Sequence, residues 1–318
     1  MTSTVAADLP VGDSGKGAVE HADTGNVAKR TKKRLTSRGA TIASLIIAVL
    51  WTIPTFGLLI TSLRPQGEIT RSGWWEVFVK WDFTTENYET VLANPDLVAS
   101  IVNSIAISLP ATVIPLVIAS LAAYAFAWID FKGKDILFVL MFALQIVPIQ
   151  MTLVPLLSLF SRGLVVGGET LFEGFRGAGT FTQVWIAHSI FALPLAIFLL
   201  HNFIREIPGE VIEAARVDGA GHGQIFFRIV LPLTVPAIAS FAIFQFLWVW
   251  NDLLVALIFA SGKASPITRT LAELTGEFGQ NAYLLPAGAF IAMIIPLIVF
   301  FALQRFFVRG LLAGSTKG

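Results

Sequence analysis

Residues 210–232 read EVIEAARVDGAGHGQIFFRIVLP, a charged segment that contains three glycines. It interrupts a chain of 318 residues that is 55% hydrophobic and only 14% charged, with a mean hydropathy of +0.75. Soluble domains carry about 25% charged residues, so this composition is typical of an integral membrane protein. We therefore expect residues 210–232 to lie outside the bilayer, between apolar spans.

The segment carries the start and stop signals of two short helices. Pro208 suits the first turn of a helix, where its missing N–H would have no partner. Glu210 and Glu213 favour the positive end of the helix dipole, and Gly219 is placed to end the helix in a left-handed conformation. A second short helix is predicted from 224 to 230. The result is a surface helix pair with a small apolar face that needs a partner.

Six apolar stretches flank this segment, and each is long enough to cross a bilayer, whose core requires about 20 helical residues. We predict transmembrane helices near 40–63, 99–127, 136–159, 182–203, 235–259 and 285–307. The predicted fold class is therefore an all-α integral membrane protein with six transmembrane helices.

The spans divide the chain into five parts. The first, residues 1–38, has no long apolar run and ends in KRTKKRLTSR, which predicts a disordered basic tail. The others are a first transmembrane helix at 39–63, an extracytoplasmic loop at 64–96, a transmembrane domain at 97–307 that contains the loop 205–232, and a cytoplasmic tail at 308–318.

The basic residues predict the orientation, because lysine and arginine concentrate in cytoplasmic segments. With the N-terminus inside, fifteen of the 22 lysine and arginine side chains fall on the cytoplasmic side. Both termini are then cytoplasmic. The loop 205–232 lies on the same side, between the fourth and fifth spans.

The residues that carry enzyme or metal chemistry are few. The sequence contains no cysteine, which excludes disulfides, thiolate metal sites and cysteine nucleophiles. His188 and His201 lie thirteen positions apart in one predicted span, too far to share a metal ion, and His222 lies in the loop. We find no zinc spacing and no catalytic pair, so the sequence predicts no metal, no cofactor and no enzymatic activity. A net charge of +1 argues against nucleic acid as a partner.

The fifth predicted span contains polar side chains that suit a translocation path. Gln245, Trp248 and Asp252 follow helical spacing, and Asn251 lies beside them. Polar groups beside aromatic rings suit a sugar, whose hydroxyls need hydrogen bonds. The alternative is that Asp252 lies near the outer end of the span and only caps the packing there. The third span carries a weaker polar face, formed by Gln145, Pro148 and Thr152.

The loop also carries a specific motif, formed by Glu213-Ala214-Ala215, Gly219, Ile229 and Leu231-Pro232. This pattern is similar to the EAA loop of permease subunits in binding-protein-dependent ABC importers, and it matches at every defining position. Seven residue identities over twenty positions, in the expected loop of a six-span chain, distinguish it from an ordinary amphipathic connector.

This resemblance implies a type I ABC importer permease fold in which the loop forms coupling helices that dock onto the ATPase subunit. Ala214 and Ala215 would then allow close approach to the ATPase groove. Gly219 would be structural, and Glu213 would either form an ion pair in the groove or cap the helix. The C-terminal sequence FVRGLLAGSTKG resembles the end of the smaller maltose permease subunit, which reaches into the ATPase dimer interface.

The implied partners are a second permease subunit in a heterodimer, two copies of an ABC ATPase subunit and an extracytoplasmic sugar-binding protein. ATP hydrolysis would be supplied by the separate ATPase subunits. The implied location is the plasma membrane of a bacterium, and the segment 260–284 resembles the part of such subunits that contacts the docked binding protein.

Two further stretches, WIAHSIFALPLAIFLLHNFIREIP and FQFLWVWNDLLVALIF, resemble carbohydrate permeases of the α-glucoside branch. Maltose, maltodextrin and trehalose are the expected substrates. The long external loop at 161–182 departs from the shorter maltose-type loop and leaves the particular sugar open. A stand-alone secondary transporter or channel is the alternative function.

Overall fold

The computed structural model describes residues 38–175, 181–260, 264–276 and 279–315, with side chains described from 39 to 305 within these ranges. The predicted disordered tail lies outside the described residues except for Arg38, which begins the first helix. The last three residues of the predicted C-terminal tail also lie outside them.

The described residues form thirteen α-helices and one small sheet. The helices are α1 Arg38–Ser62, α2 Gln66–Ile69, α3 Glu86–Leu92, α4 Pro95–Trp128, α5 Lys134–Ala143, α6 Ile149–Arg162, α7 Phe181–Arg205, α8 Gly209–Val217, α9 His222–Ile225, α10 Leu231–Trp250, α11 Leu254–Phe259, α12 Ile267–Leu274 and α13 Leu285–Ser315. The strands are β1 Leu164–Val166 and β2 Glu169–Phe172, and a π turn at Phe226–Val230 joins α9 to α10.

Five helical segments are long and apolar enough to cross a membrane, and a bent pair makes up to six. The five are Gly39–Ser62, Pro95–Trp128, Phe181–Arg205, His222–Trp250 and Ala282–Arg305. The bent pair is Lys134–Ile146 with Ile149–Arg162, at 105° to each other. The predicted all-α membrane fold is therefore confirmed, with five or six candidate spans.

The third span differs from the continuous helix predicted at 136–159. The chain breaks at Val147, whose φ of −71° and ψ of 120° are extended rather than helical. The cause is Pro148, because a proline ring clashes with a helical conformation of the residue before it and supplies no N–H. Pro148 thus marks the position of the bend.

The fifth span, predicted at 235–259, is also shorter than expected, because α10 ends at Trp250. The chain then turns, and α11 begins only at Leu254. The Asp252 carboxylate accepts hydrogen bonds from the backbone N–H groups of Val255 at 3.3 Å and Ala256 at 3.0 Å. An acidic side chain that satisfies first-turn donors favours a new helix start over a continued span.

The long loop after the third span contains a β-hairpin that the sequence did not predict. β1 and β2 pair antiparallel, with Val166 opposite Glu169 and an irregularity between Leu164 and Val165. The turn between the strands is Gly167-Gly168, with φ of +63° and +90°. Two successive positive φ values are what a tight two-residue hairpin turn requires, and glycine adopts them without strain.

Contacts divide the chain into two units, Met1–Phe56 and Gly57–Gly318. The described part of the first unit is the helix from Arg38 to Phe56, whose apolar side chains are mostly exposed. In the second unit α4 packs along α7, and α10 packs against α4 and α13. α13 runs past the predicted span end at 307 and continues as helix to Ser315.

Candidate coupling surface and membrane cavities

The loop after the fourth span begins with a well-defined helix start. Pro208 has φ of −57° and ψ of 131° and directly precedes α8. Glu210 lies in the first turn of α8 and Arg216 in its last turn. Both charges complement the helix dipole, because carboxylates favour the N-terminal end and cations the C-terminal end.

The end of α8 is closed by two backbone hydrogen bonds. The N–H of Ala220 donates to the carbonyl oxygen of Ala215 at 2.9 Å, and the N–H of Gly219 donates to that of Arg216 at 3.0 Å. This pair of bonds is a Schellman motif, in which the residue directly after the helix C-cap adopts a left-handed conformation. That residue is Gly219, with φ of +80°, as the sequence predicts.

A Gly219→Val variant is expected to loosen this turn. A Cβ at Gly219 meets nothing within 4 Å, so the substitution acts only through backbone strain, which costs roughly 1–2 kcal/mol for an L-residue in this conformation. We expect trypsin to cleave after the neighbouring Arg216 about tenfold faster in the purified chain. Gly219→Asn is the matched control, because asparagine tolerates the left-handed region. Equal cleavage rates in wild type and Gly219→Val would contradict this reading.

The second half of the loop differs from the separate helix predicted at 224–230. α9 begins at His222, and the N–H of Gly221 donates to Gln224 Oε1 at 3.1 Å. The chain then passes through the π turn directly into α10, with Pro232 at the start of that helix. A proline in the first turn of a helix needs no hydrogen-bond partner for its nitrogen. The second helix of the pair is therefore the first turn of the fifth span.

The loop is seated on the bundle by apolar side chains. Ile212 of α8 is 1% exposed, and Ile225, Phe226 and Val230 are buried with it in one core cluster. The same cluster contains residues of the last turns of α4 and of α7, namely Ala119, Ala123, Tyr124, Phe126, Ile197, Leu200 and Ile204. The loop at 205–232 is thus packed against the ends of two spans.

Two polar contacts fasten the loop to the end of α4. Tyr124 Oη and His222 Nδ1 lie 3.0 Å apart in a hydrogen bond. Arg216 Nη2 donates to the carbonyl oxygen of Trp128 at 3.0 Å. His222, which the sequence places in the loop, thus has Tyr124 as its hydrogen-bond partner.

The opposite side of α8 is open. Glu210, Glu213, Ala214 and Val217 are all exposed, and their spacing of three, one and three positions places them on one helix face. We call these four residues the outer face of α8. Val217 is 87% exposed and gives this face an apolar side chain beside Ala214.

The predicted coupling residues divide between the two sides of the loop. The exposed ones are Glu213, Ala214, Gly219 and Pro232, and the partly buried ones are Ala215, Ile229 and Leu231. Ala215 and Leu231 pack against the core cluster. The sequence reasoning did not single out Val217 or Phe227, which is also exposed. The spacing of Val217 from Ala214 and Glu213 is the signal that identifies it.

The four predicted path residues do not share a face. Gln245 is 2% exposed, and its Nε2 donates to the carbonyl oxygen of Ala111 at 3.3 Å. Trp248 and Asn251 are exposed. The assumption of helical spacing from Trp248 to Asp252 is wrong, because α10 ends at Trp250.

Asp252 instead links two spans at the turn after α10. Besides capping α11, its Oδ2 lies 3.7 Å from Nε2 of His188 in α7. Its backbone carbonyl accepts a hydrogen bond from the Thr268 hydroxyl at 2.7 Å. These contacts agree with the alternative that Asp252 caps local packing.

The break in the third span borders a cavity of about 600 Å³ against α7. Gln145, Pro148 and Thr152, the weaker polar face seen in the sequence, all line it, together with Gln150. Gln145 and Gln150 are exposed there. Amide groups are costly against lipid, so this surface suits a polar solute or a partner subunit better than acyl chains.

A larger cavity, of about 850 Å³, lies between the first turns of α4 and α12. Its polar lining residues include Asn94, Asp96, Asn103, Arg269, Glu273 and Asn281. It lies at the end of α4 opposite to the coupling loop. Within the described ranges, no group of three or more metal-binding side chains is present.

A family model described as the binding-protein-dependent transport system inner membrane component matches residues 115–313. This stretch includes the C-terminal part of α4, the broken third span, the loop at 205–232 and nearly all of α13. It is more than half of the chain. The chain belongs to this family.

Similar proteins agree with this assignment. The osmoprotective compounds uptake permease protein of Synechocystis sp. is 52% identical over 285 residues, which is 87% of this chain and 91% of the relative. The alpha-glucoside transport system permease protein of Rhizobium meliloti is 50% identical over 238 residues, which is 74% of this chain and 61% of the relative.

Among solved structures, a bacterial ABC transporter involved in the import of the acidic polysaccharide alginate aligns with a TM-score of 0.61. The identity is 22%, and the alignment covers 85% of this chain and 98% of that chain. At this identity the likeness establishes the fold. The chain is thus a multi-pass permease component of the inner membrane, and ATP hydrolysis belongs to a separate subunit of such importers.

Proposed function

We propose that this chain is one of two different permease subunits in an ATP-driven importer of α-glucosides such as maltose, maltodextrin or trehalose. It contributes half of the translocation path and works with two copies of an ATPase subunit and an extracytoplasmic sugar-binding protein. Its N- and C-termini lie in the cytoplasm. The stand-alone transporter considered from the sequence is not proposed, because the family acts as one component of a larger system.

The observation that carries this proposal is the outer face of α8. The helix α8 is exposed on this face, and its opposite side packs against the ends of α4 and α7. The small Ala214 beside the apolar Val217 suits close contact with a groove, since a larger side chain would overpack it. When a partner docked on this face moves, α8 moves with it and shifts the ends of α4 and α7. The importer can thereby change between its two states.

The role of Glu213 follows from its position in α8. It is the fifth residue of the helix, after the first turn, so its side chain is badly placed to cap the free N–H groups. Its carboxylate is exposed. An ion pair with a basic side chain of the ATPase groove is the role that this position favours.

The second permease subunit is proposed from the cavity at the break of the third span. Gln145 and Gln150 present amides on a surface that this chain leaves open. Broken helices with exposed polar groups mark solute sites in many transporters. A second permease facing this surface would enclose a path for a polar solute. Trp248 and Asn251 are also exposed and are retained in the proposed path, whereas Gln245 and Asp252 are proposed to support its wall.

The substrate class is supported by the relatives. The Rhizobium meliloti protein is named for alpha-glucosides, and the Synechocystis protein for osmoprotective compounds. Both descriptions fit small polyhydroxylated solutes, which need hydrogen bonds from amides such as Gln145 and Gln150. The large polar cavity lined by Arg269 and Glu273 is proposed as the surface that meets the loaded binding protein.

The test is reconstitution of the chain with the ATPase, second permease and binding protein of its own organism in proteoliposomes. We expect uptake of labelled maltose or trehalose that requires both ATP and the binding protein. Cellobiose is the matched control, because it differs from maltose in having a β linkage. Uptake without ATP by the isolated chain would overturn the importer assignment, whereas equal uptake of cellobiose would overturn only the α-glucoside part.

A further inference from the structure

A separate cavity of about 210 Å³ lies where α4, α5 and α7 meet, at the end of the bundle that carries the coupling loop. Its lining includes Phe126 of α4, Lys134, Asp135 and Phe138 of α5, and His201 and Arg205 of α7. It is small, mostly polar and separate from the outer face of α8 and from the break in the third span. Neither the coupling role nor the translocation path uses it.

The charges around this cavity are predominantly positive. Lys134 and Arg205 each bring a cation, and Asp135 brings one anion. Arg205 forms no ion pair within the described ranges, and Lys134 pairs only with Asp130 at 3.5 Å. The Asp130 side chain is fully exposed, so water and salt screen that pair strongly. The lining therefore has an excess of one positive charge.

The start of α5 adds to this positive potential. Its N-cap residue is Gly133, with φ of +81°, and no side chain accepts a hydrogen bond from the first turn. The N–H of Lys134 donates to the carbonyl oxygen of Phe131 at 3.3 Å, and that of Leu137 to the carbonyl oxygen of Gly133 at 2.9 Å. This leaves the N–H groups of Asp135 and Ile136 without a partner within the described residues, at the positive end of the helix dipole. Lys134 and Asp135 belong to this first turn and line the cavity. An anion there would receive both the dipole and the side-chain cations.

His201 provides an independent indication of a ligand. It is 8% exposed, and its ring lies against Phe138 with the ring centroids 4.5 Å apart. Its Nδ1 has no hydrogen-bond partner among the described residues. Buried polar atoms without partners are uncommon in folded proteins. A buried imidazole with an unsatisfied nitrogen, lining a basic cavity, indicates that a group from outside the chain completes the site.

The surface next to the cavity is apolar. Ile136, Leu137, Val139 and Leu140 are exposed along α5 directly after the basic first turn. A ligand with a charged end and a long apolar part can thus place its charge at Lys134 and its chains along α5. A free phosphate ion would use only the basic end.

We propose that this cavity binds the phosphate of an anionic membrane phospholipid, with its acyl chains along the exposed apolar side of α5. The Lys134 and Arg205 side chains and the N–H groups of Asp135 and Ile136 hold the phosphate oxygens, and His201 completes the polar lining. Basic pockets between spans bind anionic head groups in other membrane proteins. Because Arg205 ends α7 only a few residues before α8, the bound lipid also fixes the helix end that carries the coupling loop.

The test is a titration of the delipidated full chain in neutral detergent, with lipid binding followed by native mass spectrometry. The probes are phosphatidylglycerol, phosphatidylcholine and inorganic phosphate. We expect phosphatidylglycerol to bind, and Lys134→Gln and Arg205→Gln each to weaken it about fivefold. Lys132→Gln is the matched control, because Lys132 is exposed in the same turn but does not line the cavity. It is expected to bind like the wild type.

Three results would overturn the proposal. Equal weakening by Lys132→Gln would show attraction to overall charge rather than a site. Equal binding of phosphatidylcholine would remove the requirement for an anionic head group. Displacement of phosphatidylglycerol by equimolar inorganic phosphate would identify a free anion as the ligand. Lys134→Arg keeps the charge and is expected to keep binding, which separates loss of the site from loss of the fold.

Discussion

An Ala214→Asp variant is expected to reach the membrane at the wild-type level and to lose ATP-driven uptake. Ala214 is exposed at the centre of the outer face of α8, beside Glu213 and Val217. A carboxylate there would be buried without a partner when the ATPase docks, which costs about 3–5 kcal/mol. That corresponds to docking weakened roughly 100-fold or more. The measurement is uptake in cells or proteoliposomes, with the amount of inserted chain determined by immunoblot.

The matched control is Ala214→Ser, which adds one small oxygen and no charge. We expect it to keep most of the uptake. Co-purification of the ATPase subunit gives a second readout and should fall with uptake in Ala214→Asp. An Ala214→Asp chain that imports sugar at the wild-type rate would rule out docking through this face. Ala215→Asp is a poorer test, because Ala215 packs against the core cluster and its loss would combine docking with folding.

The second large effect is expected from Ile212→Asn, on the opposite side of the same helix. Ile212 is almost wholly buried between α8 and the ends of α4 and α7. Truncating such a side chain costs about 2–5 kcal/mol, and a buried amide without a partner adds to that cost. We expect a lower midpoint of thermal unfolding and strongly reduced uptake, because α8 loses its attachment to the spans.

Val211→Asn is the control for this substitution. Val211 is the adjacent residue, is also β-branched, and is 41% exposed. It should change the unfolding midpoint little. If Ile212→Asn and Val211→Asn had the same unfolding midpoint and the same uptake, the seating of α8 through Ile212 would be disproved.

Much of the coupling surface can be read from the sequence, because its helix ends are determined locally. Pro208 and Gly219 mark the two ends of α8 through backbone properties that do not depend on distant residues. The partners of the loop are different. The hydrogen bond from Tyr124 to His222 joins residues 98 positions apart, and no local pattern predicts it. Which residues of α8 are buried and which form its outer face likewise depends on the side of α8 that α4 and α7 cover.

Distant contacts also limit what the sequence predicts about the membrane spans. Hydropathy locates all six apolar segments, because length and composition are sufficient for that. It cannot place the breaks within them, since one polar residue or proline hardly changes the mean hydropathy of a span. Pro148 interrupts the third span, whereas Pro110 and Pro115 lie inside the unbroken α4. The hydrogen bonds that neighbouring residues offer decide between these outcomes, and Asp252 ends the fifth span in that way.

The length of α4 has a mechanical consequence. Its 34 residues correspond to about 51 Å at 1.5 Å per residue, well beyond the roughly 30 Å of hydrocarbon. Tyr124 and Trp128 at one end hold the coupling loop, while Asn94 and Asn103 at the other line the 850 Å³ cavity. One continuous helix therefore connects the loop at 205–232 to that cavity, so a tilt imposed at one end displaces the other without passing through a loop or joint.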